Sequence, residues 1–569
     1  MSTHKKIDII CIAASILTIV LTILLMDAKI FTATPAISKE VSNDMFTAND
    51  LNADWDTSSA TKIALSDQHT AISGNGAYVH DGNVYIAYAG HYVLTGELMN
   101  GSVIIDADKE DKIWIYLDGV TLHCDDDAAI RIEQADKVFL TLADGTTNTI
   151  SSGAKYNTEV IDSGVDGAIY SRDDLTINGT GSLVVSAEYN HGIVCNDDLV
   201  IAGGNITINA VQDGIHANDS VRIQNSEISI SAGDDGITVS NDDETAFLYI
   251  ESGNISIPAC YEGLEAVDIT IAGGTLDIMP TDDGINASGS GDNSVIRIID
   301  GDITIVNPQG RDADGLDSNG SIYIEGGNVF ISVSDSGGNY ALDYGRENGG
   351  ECVVSGGTVI ACGGSTMAEG FDANSLQGFL IRNTTAAAGT TISLADSNGR
   401  ELLSEEIPCS FSSVVLSTSE LKVGDICTIT IGDSQEQITI DNSSSSGFDR
   451  ARMFGDGMRN GRNHNGTSND HGLADKPDME PPNRADASDG ERWSDRQGIR
   501  EVNGIPLAHD ARQVQGNESH PPLQNGGQIY PDEDLSSSTI SDDTLILLGI
   551  SVLFLLIGLS IAIKIKRCP

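Results

Sequence analysis

Hydrophobic positions in the middle of this chain alternate with polar ones over short segments. In one segment Val221 and Ile223 are followed, across a break, by Ile228 and Ile230. A period of two residues is typical of β-strands and not of helices, and Ile, Val and Thr suit a pleated surface. Gly, Asn and Asp occupy the breaks, where turns need backbone conformations that these residues tolerate. The pattern therefore predicts many short strands joined by tight turns.

Two short phrases recur between residues 166 and 375, at intervals of roughly 20–30 residues, which indicates stacked structural units. The first phrase is an acidic residue or stand-in, a small residue and an aliphatic: Asp166-Gly167, His191-Gly192-Ile193, Asp213-Gly214-Ile215, Asp235-Gly236-Ile237, Glu262-Gly263-Leu264, Asp283-Gly284-Ile285, Asp314-Gly315-Leu316, Tyr340-Ala341-Leu342 and Glu369-Gly370-Phe371. The second phrase is a pair of aliphatics across a tight turn: Ile201/Ile206, Ile223/Ile228, Ile250/Ile255, Ile271/Leu276, Ile298/Ile303, Ile324/Val329 and Val354/Val359.

Units made of short strands at one coil length predict an all-β chain folded as a parallel β-helix, a solenoid whose coils lie about 4.8 Å apart. A β-sandwich or a propeller is the alternative, but the strands of a sandwich carry no fixed coil period. The repeat predicts a β-helix over residues 78–378, with strands beginning near Tyr78 after a polar leader at 29–77. A different alternation predicts a small β-module at 379–441.

Two apolar segments lie near the ends of the chain. Residues 1–28 contain Lys5, Lys6 and an apolar run, which predicts a signal peptide or an uncleaved transmembrane anchor. Residues 544–563 are nearly all apolar and long enough to form a transmembrane helix, and the positive-inside rule assigns the basic tail 564–569 to the cytoplasm. Hydrophobic residues are too sparse for a core in 442–541, which predicts a disordered spacer. We therefore expect a membrane protein whose middle lies outside the cell, single-pass after signal cleavage and two-pass otherwise.

The formal net charge is −53, which argues against a nucleic-acid partner, since such a partner needs clustered Lys and Arg. The same charge suits solubility outside the cell and the binding of cations. The oligomeric state is not predicted by any feature of the sequence.

Equivalent positions of a β-helix stack, so the acidic positions of the repeat predict two ladders. The residue before the small one gives Asp213, Asp235, Glu262, Asp283, Asp314 and Glu369, and the residue two beyond it gives Glu265, Asn286, Asp317, Asp343 and Asp372. Like charges one coil apart repel and raise each other's pKa. Calcium, which takes six to eight oxygen ligands, could offset this repulsion. The strongest calcium candidates are Asp314, Asp317, Asp343, Glu369 and Asp372.

Asp and Asn also form turns at coil corners. For any single Asp the turn interpretation suffices. For the cluster as a whole we favour calcium, because residues that only form turns would vary among Asn, Ser and Gly, whereas these positions favour carboxylates.

The run from Gly167 to Ile177, the repeated Asp-Gly-Ile and the Gly-Gly turns resemble a family of clostridial surface proteins. These are cellulose- and polygalacturonate-binding, polysaccharide-lyase-like β-helix proteins, often described as carbohydrate-binding domain-containing. The resemblance covers roughly residues 78–441. It implies a right-handed parallel β-helix, bound calcium and an acidic plant polysaccharide as ligand. The chain departs from the pattern at His191 and Tyr340, where the acidic residue is missing, so calcium is not expected on those two coils.

Three functions compete: a calcium-dependent carbohydrate-binding module, a pectate-type lyase and a structural stalk. A lyase needs a base near calcium, yet no lysine lies between Lys155 and Lys422. Arg311 and Arg346 lie beside the acidic ladder and favour pairing with carboxylates, those of the protein or of a sugar. We therefore assign no catalytic residue.

Aromatic platforms for sugar rings are the second requirement of a carbohydrate-binding module. Trp is absent from the repeats, which favours an acidic polymer over neutral cellulose. The tyrosines that could supply a platform are Tyr170, Tyr189, Tyr261, Tyr323, Tyr340 and Tyr344. Tyr340 and Tyr344, with Arg311 and Arg346, are the expected substrate-binding residues.

Overall fold

The computed structural model describes residues 45–54, 56–290, 293–310, 313–336 and 338–442, without the side chain of Glu347. These residues form a parallel β-solenoid with almost no helix, as the repeat predicted, and it is of the right-handed type, as the family resemblance implied. The segments predicted at 1–28, 443–541, 544–563 and 564–569 lie outside the described residues. Within the described ranges, no helix is both long and apolar enough to cross a bilayer.

Each coil of the solenoid contributes a strand to the first face, which is a twelve-stranded sheet. Its first two strands form an antiparallel hairpin and the rest run parallel. The strands are β3 (Ala77–His80), β4 (Asn83–Ile86), β6 (Val103–Asp106), β8 (Ile130–Gln134), β11 (Gly167–Ser171), β14 (His191–Cys195), β17 (Ile215–Ala217), β20 (Ile237–Val239), β23 (Leu264–Ala266), β26 (Ile285–Ala287), β29 (Leu316–Ser318) and β32 (Leu342–Tyr344).

The second and third faces belong to one twenty-four-stranded sheet. The second face contains β9 (Lys137–Leu142), β12 (Asp174–Gly179), β15 (Asp198–Ile201), β18 (Ser220–Ile223), β21 (Phe247–Ile250), β24 (Asp268–Ile271), β27 (Val295–Ile298), β30 (Ser321–Ile324) and β33 (Cys352–Val354). The third face contains β10 (Thr147–Ser152), β13 (Ser182–Ala187), β16 (Asn205–Ala210), β19 (Ser226–Ala232), β22 (Gly253–Cys260), β25 (Thr275–Pro280), β28 (Asp302–Asn307), β31 (Asn328–Val333) and β34 (Thr358–Gly363). The long strands β5 (Gly90–Leu98) and β7 (Lys112–Cys124) pair side by side in the early coils, where β7 pairs with both β9 and β10.

Strands begin earlier than the sequence predicted. The expected polar leader contains β1 (Thr61–Leu65), which pairs parallel with β5, and β2 (Ala71–Ser73), which pairs antiparallel with β1. Ile63 of β1 is fully buried in the core. Alternation in this segment covers only a few residues on either side of a turn, which is too short for a strand prediction from the period alone.

The far end of the solenoid is covered by antiparallel strands. Strand β38 (Phe411–Thr418) pairs with β34 and with β35 (Phe379–Ala386). A four-stranded antiparallel sheet follows, made of β36 (Thr390–Ala395), β37 (Glu401–Ile407), β39 (Ile426–Ile431) and β40 (Ser434–Thr439). These strands share a second hydrophobic cluster, separate from the core of the solenoid. The helical pieces in the described residues are short: α1 (Thr158–Asp162) and 3₁₀ turns at Thr57–Ser59 and Arg346–Asn348.

The core of the solenoid is built from rows of aliphatic side chains that stack from coil to coil. The row predicted from the five-residue spacing is confirmed, each member being the register partner of the next: Ile201, Ile223, Ile250, Ile271, Ile298, Ile324 and Val354. All seven side chains are buried. Burying such a side chain is worth about 1.5–3 kcal/mol, so the register of the coils is fixed by the core.

The small residue of the first phrase is required by the close approach of successive coils. A Cβ added to Gly284 would lie 2.5 Å from the carbonyl oxygen of Gly315 and 2.6 Å from Cγ2 of Ile305. Gly214, Gly236 and Gly263 meet the carbonyl of the next coil in the same way. Because the parallel strands of the first face begin at this corner, a side chain there would push two coils apart.

Candidate functional site

The acidic residue before each small residue has a structural role at the corner of the coil. In four coils, at Asp213, Asp235, Asp283 and Asp314, its carboxylate accepts a hydrogen bond from the backbone N–H of the equivalent residue in the next coil. The N–H to carboxylate distances are 3.2 Å for Asp235 to Asp213, 2.9 Å for Glu262 to Asp235, 2.6 Å for Asp314 to Asp283 and 2.5 Å for Tyr340 to Asp314. His191 takes the same position and its Nδ1 accepts from the N–H of Asp213 at 3.2 Å. The corner therefore needs an acceptor, and a negative charge is not required.

The second predicted ladder is present on the outer side of the first face. The strand register aligns Glu265 with Asn286, Asn286 with Asp317, and Asp317 with Asp343. In the other direction the same row continues through Thr238 to His216.

The two rows bring side chains together in sets of three, each of which we call a constellation. Its first point is a corner residue, its second point is the corner residue of the next coil, and its third point lies three positions after the second in the sequence. Three copies consist only of His, Asp and Glu side chains, and in each copy one ligand atom per residue lies within 4.8 Å of the others. The nitrogen constellation is His191, Asp213 and His216; the first oxygen constellation is Asp235, Glu262 and Glu265; the second oxygen constellation is Asp283, Asp314 and Asp317.

The coils between these copies carry neutral residues at the third point. Thr238 donates a hydrogen bond to Oδ2 of Asp235 at 3.1 Å, and Nδ2 of Asn286 donates to Oε2 of Glu262 at 2.9 Å. A hydroxyl or an amide can donate to a corner carboxylate, whereas an ionised carboxylate at the third point cannot. The acidic third points therefore add negative charge where their neutral counterparts supply a donor.

Burial and mutual repulsion raise the pKa values of the oxygen constellations. Desolvation, followed by the charges of Glu265 and Asp235, raises the pKa of Glu262 to about 9. Desolvation, and repulsion from Asp213 among others, raises the pKa of Asp235 to about 8. For Asp314, desolvation outweighs a hydrogen bond from the N–H of Tyr340, and its pKa rises to about 9. At neutral pH these groups therefore hold protons unless a cation takes their place.

The donor set of the oxygen constellations fits calcium. Calcium binds oxygen at 2.3–2.6 Å, so two of its ligand oxygens can lie up to about 5 Å apart. Three carboxylates within 4.8 Å of one another meet this condition, and they contain no nitrogen or sulfur that would favour a transition metal. The residues that would hold the ion are those of the two oxygen constellations.

The nitrogen constellation has a different electrostatic balance. Burial opposes the ionisation of Asp213, but the contacts and charges of His191 and His216 override it and hold the pKa of Asp213 well below its usual range. Burial likewise opposes protonation of His216, and the hydrogen bond and charge of Asp213 raise its pKa.

The structure divides the five strongest calcium candidates into two groups. Asp314, Asp317 and Asp343 belong to the ladders of the first face, whereas Glu369 and Asp372 lie in a segment without strands after β34. The Oδ2 atom of Asp372 accepts from the N–H of Cys352 at 3.0 Å. The expected stacking of Asp343 on Asp372 is not found, because β32 is the last strand of the first sheet in the described residues and Asp372 hydrogen-bonds the backbone of Cys352 instead.

The expected substrate-binding residues are placed as follows. Arg346 is partly exposed and contacts Asp372 at 3.2 Å and Glu369 at 3.7 Å. Its Nε donates to the hydroxyl of Tyr344 at 2.9 Å. Tyr340 and Tyr344 are 7% and 2% exposed, so their rings pack inside the structure and present no face to solvent. Arg311 lies outside the described residues.

Among the described residues, exposed aromatic rings include Tyr88, Tyr78 and Tyr261. Tyr261 is 47% exposed and immediately precedes Glu262 of the first oxygen constellation. Tyr78 and Tyr85 stack on each other across the β3–β4 hairpin, with ring centroids 5.1 Å apart. The hairpin carries a sequence signal of its own, an Asp-Gly turn between alternating residues, which lies outside the repeat pattern. The hydrophobic cluster around α1 lies on the first face between this pair and the constellations.

Comparisons with known proteins identify a family for this chain. The sequence model of the family described as carbohydrate-binding domain-containing protein matches residues 80–373. A curated relative of the same description, from Acetivibrio thermocellus, is 38% identical over 146 residues, which are 26% of this chain and 51% of the relative. The chain thus matches about half the length of that relative.

A solved structure is similar as well. It is titled as the polysaccharide lyase-like protein from C. thermocellum in a gadolinium derivative, and it shares 31% sequence identity over 45% of this chain and 94% of its own, with a TM-score of 0.36. The resemblance drawn from the repeat phrases is confirmed by the family match. The chain belongs to the family of carbohydrate-binding domain-containing proteins.

Proposed function

We propose that this protein binds acidic, polygalacturonate-like plant polysaccharide on the outside of the cell, and that calcium bridges the polymer to the oxygen constellations. The observation that carries the proposal is the repetition of three clustered carboxylates on one face of the solenoid. A chain with a net charge of −53 repels an acidic polymer. A cation held by both partners removes that repulsion.

The spacing of the two oxygen constellations suits a polymer. Their third points, Glu265 on β23 and Asp317 on β29, are two strands apart in the first sheet. Two strand spacings correspond to about 10 Å. Calcium uses six to eight ligands, so three carboxylates leave positions for water or for uronate oxygens. Two weak contacts on one polymer chain then add avidity.

Tyr261 is the described aromatic ring best placed to contact a sugar at this face. Its ring is half exposed beside Glu262, and its pKa is raised chiefly by a hydrogen bond with Asp282, with burial as the second cause. That hydrogen bond fixes the ring, and a fixed ring gives a stacking surface at low entropic cost. Arg346 remains a candidate for orienting a sugar carboxylate, although its ion pairs with Asp372 and Glu369 must first be exchanged.

Binding without cleavage is favoured because the described arginines of the coils are held in ion pairs and are not free to act as bases. Each described arginine between residues 156 and 378 contacts a carboxylate: Arg172 with Glu133, Arg222 with Asp198, Arg297 with Glu325 and Arg346 with Asp372. An arginine paired in this way is a poor base, because its guanidinium stays protonated in proteins and the carboxylate contact engages its N–H groups.

The test uses purified full-length protein with polygalacturonate, with the same polymer after methyl esterification and with cellulose, each in calcium and in EDTA. We expect binding to polygalacturonate in calcium alone, because esterification removes the carboxylates and EDTA removes the bridge. Absorbance of the unsaturated product is followed in parallel. Steady product formation would establish the lyase alternative, and the absence of both binding and product would leave a structural stalk.

Membrane attachment is the remaining part of the proposal. The apolar segment 544–563 would anchor the protein and the basic tail would face the cytoplasm. Protease added to intact cells should then release the solenoid while the C-terminal tail stays with the membrane. Retention of the intact chain in the soluble cell fraction would contradict the anchor.

A further inference from the structure

The nitrogen constellation repeats the geometry of the oxygen constellations with different ligand atoms. Nδ1 of His216 lies 2.8 Å from Oδ2 of Asp213, and Nδ1 of His191 lies 3.1 Å from the same oxygen. The two imidazole rings are tilted by 37° with centroids 5.0 Å apart. His191 begins β14, and His216 is the central residue of β17, so the register of two adjacent coils holds the three groups together.

These donors suit a transition metal better than calcium. Imidazole nitrogen is a preferred ligand of Zn²⁺, Cu²⁺ and Ni²⁺, whereas calcium takes oxygen. Around a tetrahedral ion with bonds of about 2.0–2.1 Å the ligand atoms lie about 3.3 Å apart. The two measured separations from Oδ2 are 2.8 and 3.1 Å, so the side chains need to open by only a few tenths of an ångström. An ion there would replace the hydrogen bond between His216 and Asp213, and it would take the lone pair of His191 Nδ1 that accepts from the N–H of Asp213.

The surroundings provide a second independent feature. Asp166 belongs to the preceding coil, and its Oδ2 lies 3.9 Å from Nε2 of His191. Its other oxygen, Oδ1, is buried with no hydrogen-bond partner among the described residues. At 3.9 Å this carboxylate makes no hydrogen bond to the ring, but its negative charge faces His191 and favours a cation at the site. The side chain of His216 is 27% exposed, so an ion can enter from solvent and keep a position for water.

We propose that His191, Asp213 and His216 form a site for a divalent transition metal of the Zn²⁺ class, separate from the calcium positions. The metal joins two successive coils at a point where the acidic phrase is interrupted by histidine. The inference is independent of polysaccharide binding, since it concerns different residues and a different class of ion.

The experiment uses Co²⁺ as a spectroscopic probe and Zn²⁺ as competitor, on full-length protein in excess calcium. His191→Asn keeps an acceptor for the N–H of Asp213, and His216→Asn keeps a donor to its carboxylate, so both variants preserve the hydrogen bonds. The matched control is His123→Asn, which alters another histidine that contacts an aspartate, Asp125, at 3.1 Å. Far-ultraviolet circular dichroism monitors the solenoid in every variant.

We expect one equivalent of Co²⁺ to give visible absorption bands in the native protein, which Zn²⁺ removes. Each constellation variant should lose at least about 100-fold in Co²⁺ affinity, the upper end of what an outer-shell change alone costs. The control should retain the bands. The proposal is overturned if the bands survive in both constellation variants, if they vanish in the control, or if the native protein gives none.

A second measurement needs no variant and therefore tests the proposal even if a substituted protein does not fold. Zn²⁺ should protect His191 and His216 of the native protein from diethyl pyrocarbonate, as read by peptide mass spectrometry, while His123 reacts as before. Equal modification of all three histidines with and without Zn²⁺ would overturn the proposal.

Discussion

Replacing Asp317 by Asn should change stability in opposite directions with and without calcium. Asp317 shares the second oxygen constellation with Asp283 and Asp314, with ligand oxygens no more than 4.8 Å apart. At an effective dielectric constant of about 20, two unit charges 4.8 Å apart repel by about 3.5 kcal/mol. The pKa of Asp314 is raised to about 9, so Asp314 is mostly protonated at pH 7. Only part of the full repulsion therefore acts at that pH. In EDTA we expect the variant to be more stable than the native protein by about 1 kcal/mol.

Calcium should reverse the order of the two proteins. An ion at 100 times its dissociation constant stabilises the folded state by about 2.7 kcal/mol per site. Two oxygen constellations would give the native protein about 5 kcal/mol, and the variant would keep about half of that. The assay is urea unfolding at fixed pH in EDTA and in calcium, with free energies extrapolated to water.

The control for this comparison is Asp277→Asn, which removes an exposed carboxylate from β25 on the third face. It should leave the calcium response unchanged. The reasoning is refuted if calcium stabilises Asp317→Asn as much as it stabilises the native protein, or if the variant is the less stable protein in EDTA.

Three other predictions concern the corner glycine, the binding of sugar by Tyr261 and the pH dependence of stability. Gly284→Ala should cost at least about 3 kcal/mol in urea unfolding, because its Cβ would lie 2.5 Å from a carbonyl oxygen; a cost below 1 kcal/mol would show that the coils can separate. Tyr261→Ala should weaken polygalacturonate binding by about 5–10-fold without altering the calcium response, as expected for a lost aromatic contact of about 1 kcal/mol, whereas Tyr78→Ala should have no effect; equal losses would point to both rings. In EDTA, stability should fall as pH rises from about 4 to 9, since Glu262 and Asp314, with raised pKa values near 9, bind more protons folded than unfolded over this range; stability that rises with pH would contradict those shifts.

The sequence predicted the coil register well because two requirements act at each repeat. The buried row from Ile201 to Val354 must stay inside, and a slip by one residue would expose it. The corner glycine must stay small because the carbonyl of the next coil lies where its Cβ would be. Both requirements produce a periodic pattern of residues that is visible in the sequence alone.

The end of the solenoid could not be predicted from the same sequence pattern. Residues 369–371 copy the repeat phrase, yet Phe371 packs edge-on against Phe379 with ring centroids 5.6 Å apart. The chain then continues into the antiparallel strands that cover the last coil. The phrase is thus compatible with both a further coil and a cap, and long-range packing decides between them.

The nitrogen constellation was missed for a different reason. His191 interrupts the acidic phrase, and the interruption indicated only the loss of calcium from that coil. His216 is the third point of the constellation that His191 begins, and it lies on the next coil. That a residue at this position approaches the corner becomes evident only from the geometry of the oxygen constellations. Similarly, the burial of Tyr340 and Tyr344 depends on their packing in the last coils, which periodicity does not report.

The most direct test of the central claim is a crystal structure of the protein with calcium and an oligogalacturonate. We expect ions bound by oxygens of Asp314 and Asp317 at about 2.3–2.6 Å, with a sugar carboxylate completing the coordination. Calcium at the oxygen constellations without sugar contact would separate metal binding from recognition. An oligogalacturonate bound elsewhere, with no ion shared between protein and polymer, would contradict the account.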